Sequence, residues 1–527
     1  MIRRRYPVGI QTFSEIIRNH YVYVDKTDLM WHMQDGRKYI FLSRPRRFGK
    51  SLLSSTLHAF FAGEKELFAG LKIMELEEAW EQYPVIHLDL SVAKNQTSVQ
   101  AMCDRIFLMM KPYGELYGED PDEKTPGGRI TGLIQRAYRH TGRQVVVIID
   151  EYDAPLLDML HDDATLEQAR IALQEFFVPL KVCEPLIKFC FITGITKFSQ
   201  LSIFSTINNL TNISMWPRFS AICGITEQEL TTAMSQDIAQ LAEANACTPQ
   251  EMHEILKNQY DGYHFSERSE EVYNPYSLLK AFDSQQVGFY WFDSGTPRFL
   301  IREMKRFHAD VTTMDRIEVP VTAFDKSTEE MEDALPLLYQ TGYLTIKHYD
   351  KQAQTYVLSI PNTEVRVGFT RGLLPSYAGL GDTEVQVGFA LKFWNALRRG
   401  NIDFAMGELK AYLAGIPYVE GFKQKLAEAA NAEGFYEYTM YLIFSMLNVY
   451  ARTQVKCSAG RIDMVVWMPD TTYVFEFKVG GTAHDALEQI NSHGYALPYH
   501  TDGRKVVKVG VKCDVVTRTL QEWVVDE

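Results

Sequence analysis

The hydrophobic pattern of the N-terminal half alternates short apolar runs with segments of helical spacing. Four runs have the length of a β-strand, at residues 38–42, 85–90, 145–149 and 187–192, and a helix is expected to open at Ser51. Strands separated by helices usually pair in parallel and are covered by helices on both faces. The pattern therefore predicts an α/β domain built on a parallel sheet.

Helical spacing dominates the middle of the chain. Residues 226–259 repeat apolar positions every three or four residues, which predicts a helical lid. The following stretch, 260–276, is rich in Tyr, Gly, Asn and Pro and indicates a boundary. A predicted helix at 333–339 and two predicted strands at 342–347 and 356–360 then favour a small winged-helix-like region.

The C-terminal part of the chain combines helices with a second group of strands. Residues 388–450 are predicted to be rich in helix, with candidates at 404–413 and 422–430. At 527 residues and about 150 residues per domain, the chain is expected to form three or four units. Three strands are predicted near its end, at residues 462–467, 473–479 and 506–511.

Composition places the protein among ordinary globular chains. Apolar residues make up 46% and charged residues 23%, so neither a disordered nor a fibrous protein is indicated. No apolar stretch approaches the length that crosses a bilayer, and no apolar run follows the basic start of the chain. The cysteines form no C-x-x-C pair, which favours reduced packing residues over disulfides or zinc ligands. We therefore expect a cytoplasmic protein without a membrane partner.

The formal net charge of −13, with a pI near 5.6, argues against a protein that coats nucleic acid nonspecifically. Any contact with nucleic acid is therefore expected to be local. The basic clusters at 44–47 and 504–512 are candidates. The alternative for the second cluster is an ordinary solvated surface.

A candidate phosphate-binding loop lies between the first predicted strand and the helix that follows. Residues 43–51 read Ser-Arg-Pro-Arg-Arg-Phe-Gly-Lys-Ser, and in such a loop the backbone N–H groups and the helix N-terminus receive the anion. Lys50 would neutralise the outer phosphates and the Ser51 hydroxyl would bind Mg²⁺. Arg44 stands where the usual G-x-x-x-x-G-K-[ST] pattern has its first glycine. The predicted nucleotide-binding residues of the loop are Arg46, Arg47, Phe48, Gly49, Lys50 and Ser51.

Two further strand ends support this site. The third apolar run ends in Asp150 and Glu151, where Asp150 would hold the Mg²⁺ shell and Glu151 would orient or deprotonate the attacking water. An ordinary polar turn is the alternative for the acidic pair alone, but the loop and the pair occur in order, each on its required element. The fourth run ends near Thr193 and Thr196, either of which would sense the γ-phosphate or simply end a strand.

Several motifs follow one another in a recognisable order. Together with the loop at 44–51, they make the chain similar to the AAA-ATPase-like family, many of whose members pair an ATPase with a C-terminal PD-(D/E)XK nuclease-superfamily domain. The similarity covers most of the chain, and the missing first glycine of the loop is a trait of this family. The motifs are Tyr-Pro-Val-Gly-Ile-Gln at 6–11, Tyr-Val-Tyr-Val-Asp-Lys-Thr at 21–27, Ile-Asp-Glu-Tyr-Asp at 149–153, Thr-Gly-Ile-Thr-Lys-Phe-Ser at 193–199 and Tyr-Asp-Gly-Tyr at 260–263.

A second candidate site lies near the C-terminus. Asp463 is on one predicted strand, and the next carries Glu476 and Lys478, which share a face because alternate residues of a strand point the same way. Two carboxylates can bind one or two Mg²⁺ ions, and a lysine can orient the attacking water or stabilise the transition state. The arrangement resembles the D…E-x-K core of the PD-(D/E)XK superfamily. The alternative for E-x-K alone is an exposed ion pair.

The resemblance implies further residues at this second site. In the superfamily the preceding helix often adds a glutamate, which would make Glu433 a third metal ligand, with Glu437 one turn away on the same face. Gln489 and Tyr495 are similar to the Gln/Tyr motif of the RecB-like branch, where these residues position substrate or the active-site strand. The expected metal ligands of the two sites are therefore Ser51, Asp150, Glu433, Asp463 and Glu476.

These expectations combine into one architecture and one leading hypothesis. ATP and Mg²⁺ would be the cofactors, and ATP hydrolysis would control a Mg²⁺-dependent nuclease that acts on DNA rather than RNA. A nucleotide-switched binding or signalling protein with an inactive nuclease-like domain is the alternative. Related P-loop ATPases often form rings, so assembly into a homo-oligomer is a further expectation. The expected domains are a P-loop NTPase core of the AAA-like type (1–225), a helical lid (226–270), a winged-helix-like region (271–387) and a helical lead-in with an α/β nuclease-like domain (388–527).

Overall fold

The protein folds as two compact units, one formed chiefly by residues up to 362 and the other chiefly by residues from 363 onward. In the part of the chain that is described, no helix is both long and apolar enough to cross a membrane. The computed structural model describes residues 4–94, 96, 98–157, 159, 162–196, 210–294, 298–307, 314, 316–324, 333–377, 389, 392–393, 395–414, 440, 450–457, 460–468, 470–500, 503–514, 517 and 519–526.

A five-stranded parallel sheet forms the centre of the N-terminal unit. Its strands are β1 (Tyr39–Ser43), β2 (Val85–Asp89), β3 (Val145–Asp150), β4 (Ile187–Gly194) and β5 (Leu210–Asn212). They lie in the order β2-β3-β4-β1-β5, and every neighbouring pair is parallel. Strands β1 and β3 are buried along their whole length, as expected for runs of apolar residues in a sheet covered on both faces. The predicted parallel α/β domain is confirmed.

Helices surround this sheet and continue beyond it. The segment predicted to form a helical lid contains three helices, two of which begin with a capping box, Thr226 with Glu229 and Thr248 with Glu251. The helices of this unit are α1 (Phe13–Arg18), α2 (Thr27–Met33), α3 (Lys50–Phe61), α4 (Val99–Met109), α5 (Lys111–Tyr117), α6 (Pro126–Thr141), α7 (Ala154–Leu157), α8 (Asp163–Val182), α9 (Glu227–Ala233), α10 (Ser235–Ala244), α11 (Pro249–Tyr260), α12 (Pro275–Ser284), α13 (Arg298–Arg306) and α14 (Leu335–Gln340).

Two small antiparallel sheets complete the N-terminal unit. One pairs β6 (Ile225–Thr226) with β7 (Val272–Tyr273), and the other has three strands, of which the last in chain order lies in the middle. The second sheet contains the predicted hairpin, with the predicted helix α14 before it. The division between the two units falls at 362/363, inside the region 271–387, whose winged-helix-like character stays a prediction. The strands of the second sheet are β8 (Ile317–Pro320), β9 (Thr345–Asp350) and β10 (Thr355–Ser359).

The C-terminal unit is built on a mixed five-stranded sheet in chain order. Only the third and fourth strands of this sheet pair in parallel, and the other neighbouring strands are antiparallel. The predicted candidate at 404–413 is helical, whereas the candidate at 422–430 lies outside the described residues. The strands are β11 (Tyr450–Cys457), β12 (Gly460–Trp467), β13 (Thr471–Lys478), β14 (Lys505–Asp514) and β15 (Thr519–Asp526), and the helices are α15 (Thr363–Tyr377), α16 (Ile402–Ala414) and α17 (Ala483–Ser492).

Helix α17 is the crossover that the parallel pair β13 and β14 requires. It packs closely on β14, because a Cβ atom added to Gly510 would lie 2.6 Å from the backbone nitrogen of Leu487 and also against the carbonyl of Ala483. Gly510 is the register partner of Glu476 on β13. The start of α17 is therefore fixed beside the strand that carries Glu476 and Lys478.

Replacing Gly510 with alanine is expected to destabilise the C-terminal unit by about 1–3 kcal/mol, because the added methyl group would push helix and strand apart. The thermal midpoint of the full chain measures the effect. Gly480→Ala is a matched control on the same connection, since nothing lies within 4 Å of its added Cβ. Equal midpoints for Gly510→Ala, Gly480→Ala and the unsubstituted protein would contradict this packing.

Candidate nucleotide and metal sites

The candidate phosphate-binding loop joins the carboxyl end of β1 to the N-terminus of α3. Gly49 immediately precedes the helix with φ of 90°, a left-handed conformation that favours glycine. The first N–H groups of a helix have no partner within it and therefore attract anions. The loop thus presents a helix N-terminus at the carboxyl edge of the parallel sheet, where the sequence predicts it.

Lys50 lies beneath this loop and is only 5% exposed. Its ammonium group donates to the carbonyl oxygens of Arg44 and Pro45, both at 3.0 Å. Burial lowers the pKa of Lys50, and the nearby carboxylates of Glu151 and Asp150 partly offset that effect. The structure therefore brings the loop lysine and the two acidic residues at the end of β3 to one place.

Asp150 ends β3 and is only 2% exposed. Burial raises the pKa of this carboxyl group to about 6, although a hydrogen bond with the Ser51 side chain and the charge of Lys50 act in the opposite direction. One carboxylate oxygen also accepts a hydrogen bond from the backbone nitrogen of Glu151, at 2.9 Å. Asp150 and Ser51 are thus adjacent oxygen donors, as expected for a pair that holds Mg²⁺.

Glu151 follows in a left-handed conformation, with φ of 46°. Its carboxylate forms an ion pair with Lys94, which comes from the segment after β2. Burial alone would raise the pKa of Glu151, but Lys94 and Lys50 outweigh it and the pKa is lowered. Glu151 therefore carries a negative charge at neutral pH and faces the same group of cations as the loop.

The two candidate threonines lie on β4 or directly after it, and β4 lies between β1 and β3. The Thr193 hydroxyl donates to the carbonyl oxygen of Leu42 at 2.7 Å, and the Thr196 hydroxyl donates to Asp153 at 2.6 Å. Both hydroxyl groups therefore make hydrogen bonds within the protein. A role of either threonine in sensing the γ-phosphate stays a prediction.

The side chains of Arg47 and Phe48 point away from the loop towards downstream residues. The Arg47 guanidinium lies 4.1 Å from the Tyr276 ring centre and donates to the Tyr290 carbonyl oxygen. Phe48 is buried with its ring edge to face with Tyr263, at a centroid distance of 4.7 Å. Any contribution of these two residues to nucleotide binding would therefore come from the backbone. Arg46 is half-buried, and its carbonyl oxygen accepts a hydrogen bond from the Trp291 indole at 3.3 Å.

Three charged residues of this site are not predicted from the sequence. Asp89 ends β2 and is the register partner of Asp150, so the rule that found Asp150 could also have found it. Lys94 has no local motif that reveals its contact with Glu151. Asp153 is buried, and one of its oxygens accepts hydrogen bonds from the backbone nitrogens of Ile195 and Thr196 at 3.0 and 2.7 Å, which fixes the end of β4.

A mostly apolar cavity of about 90 Å³ lies beside the loop. Gly49 and Leu53 at the start of α3 form one side, Tyr23 from the N-terminal segment forms another, and Cys223 and Ile225 lie before the lid helices. The cavity therefore adjoins the place where the sequence predicts a phosphate chain to bind.

In the C-terminal unit, strand pairing brings the predicted carboxylates together. Met464 pairs with Phe475 in an antiparallel register, which places Asp463 opposite Glu476 on the same face. One oxygen of Asp463 accepts a hydrogen bond from the backbone nitrogen of Phe477 at 2.8 Å. This bond fixes the Asp463 side chain beside β13.

Glu476 is the most deeply buried residue of this second site, at 1% exposure. One carboxylate oxygen accepts a hydrogen bond from Lys478 at 3.1 Å, and the other is buried without a hydrogen-bond partner among the described residues. Burial and the nearby negative charge of Asp463 raise the pKa of Glu476 to about 7. A buried oxygen of this kind is suited to a cation, because a positive ion would satisfy both the oxygen and the charge.

The remaining predicted residues of this site have different outcomes. Glu433 lies outside the described residues. Gln489 is half-buried on α17, and Tyr495 follows that helix and packs in the core of this unit. In the basic tail, Lys508 pairs with Asp526 at 2.6 Å, and Lys512 donates to a backbone carbonyl oxygen. These two lysines therefore make intramolecular contacts.

The described residues include no group of three or more His, Cys, Asp or Glu side chains that could hold a metal ion without other ligands. Each candidate site instead offers two oxygen ligands, Ser51 with Asp150 and Asp463 with Glu476. Mg²⁺ is commonly held by one or two carboxylates together with water and substrate phosphates. Both pairs fit that donor set, and neither resembles a closed structural metal site.

Comparison with known proteins gives the same division of the chain. Residues 7–204 match a family model described as a predicted AAA-ATPase, and residues 431–523 match the PD-(D/E)XK nuclease superfamily. The chain is also 30% identical over 537 residues to an uncharacterized protein in the vnfD 5′ region of Azotobacter chroococcum mcd 1, and the match covers 100% of this chain and 99% of the relative. The chain thus belongs to the AAA-ATPase-like family and carries a C-terminal PD-(D/E)XK nuclease-superfamily domain.

Proposed function

We propose that the protein is an ATP-controlled nuclease, in which an N-terminal Mg²⁺-dependent ATPase regulates a C-terminal Mg²⁺-dependent centre that cleaves DNA. The observation that carries this proposal is that each unit has, at or near the end of a strand, a buried carboxylate with a lysine close to it. These pairs are Asp150 with Lys50 and Glu476 with Lys478. Burial raises the pKa of both carboxyl groups, so each pair favours an additional cation.

At the N-terminal site, the loop N–H groups and Lys50 would bind the phosphates of ATP. Lys50 already lies at the loop and would exchange its carbonyl partners for phosphate oxygens. Ser51 and Asp150 would hold Mg²⁺, which when bound neutralises charge on the phosphates. Glu151 would orient the attacking water and accept its proton. The adjacent cavity would take the base.

At the C-terminal site, Asp463 and Glu476 would hold Mg²⁺. The bound ion would acidify a water molecule and stabilise charge on the phosphodiester. Lys478 would orient that water or donate to the phosphate oxygens as negative charge develops on them. The fixed Asp463 side chain and the buried Glu476 would keep these groups in place before substrate arrives.

Replacing Glu151 with glutamine is expected to leave ATP binding in place and to lower the rate of phosphate release by about 100-fold or more, because the amide cannot accept a proton. Glu184→Gln is a matched control, since Glu184 lies just before the amino end of β4 and pairs with Lys38. If the Glu151→Gln protein hydrolyses ATP as fast as the unsubstituted protein, Glu151 does not accept the proton of the attacking water.

Asp463→Asn and Glu476→Gln are each expected to abolish Mg²⁺-dependent DNA cleavage by the full chain, because each removes a charged metal ligand. Cleavage of labelled single-stranded and double-stranded DNA, with RNA in parallel, measures the effect. Asp470→Asn is the control, since Asp470 is exposed on the turn between the same two strands. If no cleavage occurs with ATP and Mg²⁺ even in the unsubstituted protein, a nucleotide-switched binding protein becomes the better account.

Metal binding at the C-terminal site is expected to strengthen as the pH rises from 6 to 8. Because the pKa of Glu476 is raised to about 7, a proton competes with the metal at the lower pH, and the affinity should rise about tenfold over this range. Calorimetric titration with Mn²⁺ measures this change in a protein that carries Asp150→Asn to silence the other site. Adding Glu476→Gln should remove the pH dependence. An affinity that is unchanged between pH 6 and 8 would contradict the assignment of Glu476 as a ligand.

A further inference from the structure

The first arginine of the phosphate-binding loop carries a buried positive charge. Arg44 is only 1% exposed, and its guanidinium donates to the backbone carbonyl oxygens of Ser43 at 2.8 Å, Ser214 at 2.7 Å and Phe219 at 2.9 Å, with a longer bond to that of Ser220 at 3.5 Å. The Phe265 ring covers it, with its centre 4.2 Å from the guanidinium carbon. Arg44 therefore occupies a closed site made of carbonyl dipoles and an aromatic face.

No carboxylate forms an ion pair with Arg44 among the residues that the structure describes. The neighbouring Lys50 differs in this respect, because Asp150 and Glu151 lie close enough to favour its charged form. A buried charge without an opposite charge is costly, and the Nε atom of Arg44 is also buried without a hydrogen-bond partner among the described residues. Burial lowers the pKa of Arg44, which agrees with an uncompensated charge. The guanidinium nevertheless stays protonated at neutral pH, because arginine side chains are not deprotonated in proteins.

The geometry ties this charge to the loop. The backbone carbonyl of Arg44 itself accepts a hydrogen bond from Lys50, and the next residue, Pro45, accepts a second one. The guanidinium is held away from a ligand, because its four carbonyl partners and the Phe265 ring fix its position. It can therefore act on a ligand only through the electric field and through the shape of the loop.

We propose that the charge of Arg44 strengthens the binding of polyphosphates at the loop, with the ligand's phosphates as its counter-charge. This inference rests on the proposed nucleotide site. The charge of Arg44 would make that site selective for ligands with more phosphate charges. A fixed charge in a poorly solvated region interacts more strongly with a more highly charged ligand. Arginine at the position of the usual first glycine would thus add an electrostatic contribution that glycine cannot provide.

The test compares the affinities of ATP, ADP and AMP for the full chain with Arg44→Gln and Arg44→Lys. Glutamine removes the charge but keeps a donor for the carbonyl oxygens, whereas lysine keeps the charge but loses the planar guanidinium. Arg37→Gln is a matched control, because Arg37 lies before the other end of β1 and its guanidinium packs on Trp216. Calorimetric titration gives the dissociation constants, and thermal unfolding reports whether each variant is folded.

Arg44→Gln is expected to weaken ATP binding by on the order of tenfold, with a smaller loss for ADP and the smallest for AMP. Arg44→Lys and Arg37→Gln should keep the ratio of ATP to AMP affinity close to that of the unsubstituted protein. An equal loss for all three nucleotides in a folded Arg44→Gln protein would show a purely structural role and overturn the inference. An unchanged ATP affinity in that variant would overturn it as well.

If Arg44→Gln does not fold, the Arg44→Lys variant provides the test. Its affinities for inorganic tripolyphosphate and for AMP are then compared with those of the unsubstituted protein. Retention of the tripolyphosphate preference in Arg44→Lys supports a role of the charge, and loss of that preference contradicts it. An unsubstituted protein that binds no nucleotide would refute the proposed ATPase site itself. If the unsubstituted protein binds ATP but the variants lose affinity equally for all nucleotides, only the role of Arg44 is refuted.

Discussion

The closeness of a buried cation to the carboxylates at the strand ends is the constraint on which the N-terminal site depends. Parallel strands place their carboxyl ends on one edge, so β1 and β3 bring Lys50 and Asp150 together although about a hundred residues separate them in the sequence. The ammonium group is buried under the loop, where burial lowers its pKa and the nearby carboxylates favour its charged form. Burial raises the pKa of Asp150 to about 6, so a further cation beside this carboxylate is favoured.

The C-terminal unit uses the same physical arrangement on a different scaffold. An antiparallel pair places Asp463 opposite Glu476, and alternation along β13 places Lys478 on the same face. The crossover helix α17 packs on β14 at Gly510, which fixes the sheet next to this site. In both units, then, regular strand geometry sets the positions of the charged groups, and burial makes those groups sensitive to a bound cation.

Much of this arrangement could be predicted from the sequence, because it follows from local patterns. The apolar run at 145–149 predicts β3 to within one residue, and the spacing of Glu476 and Lys478 predicts that both lie on the same face of β13. The edge strands β5, β8, β11 and β15 were harder to predict, because they are short or mix polar with apolar residues. The role of Arg44 could not be predicted, since its partners Ser214 and Phe219 are distant in the sequence and bind it through backbone atoms.

Each unit is proposed to hold a divalent cation between two oxygen-bearing side chains of its own. Anomalous diffraction from a crystal grown with Mn²⁺ and a non-hydrolysable ATP analogue tests it most directly. The account predicts one manganese peak between Ser51 and Asp150 and another between Asp463 and Glu476. Manganese peaks elsewhere on the chain, with none at either pair, would contradict it.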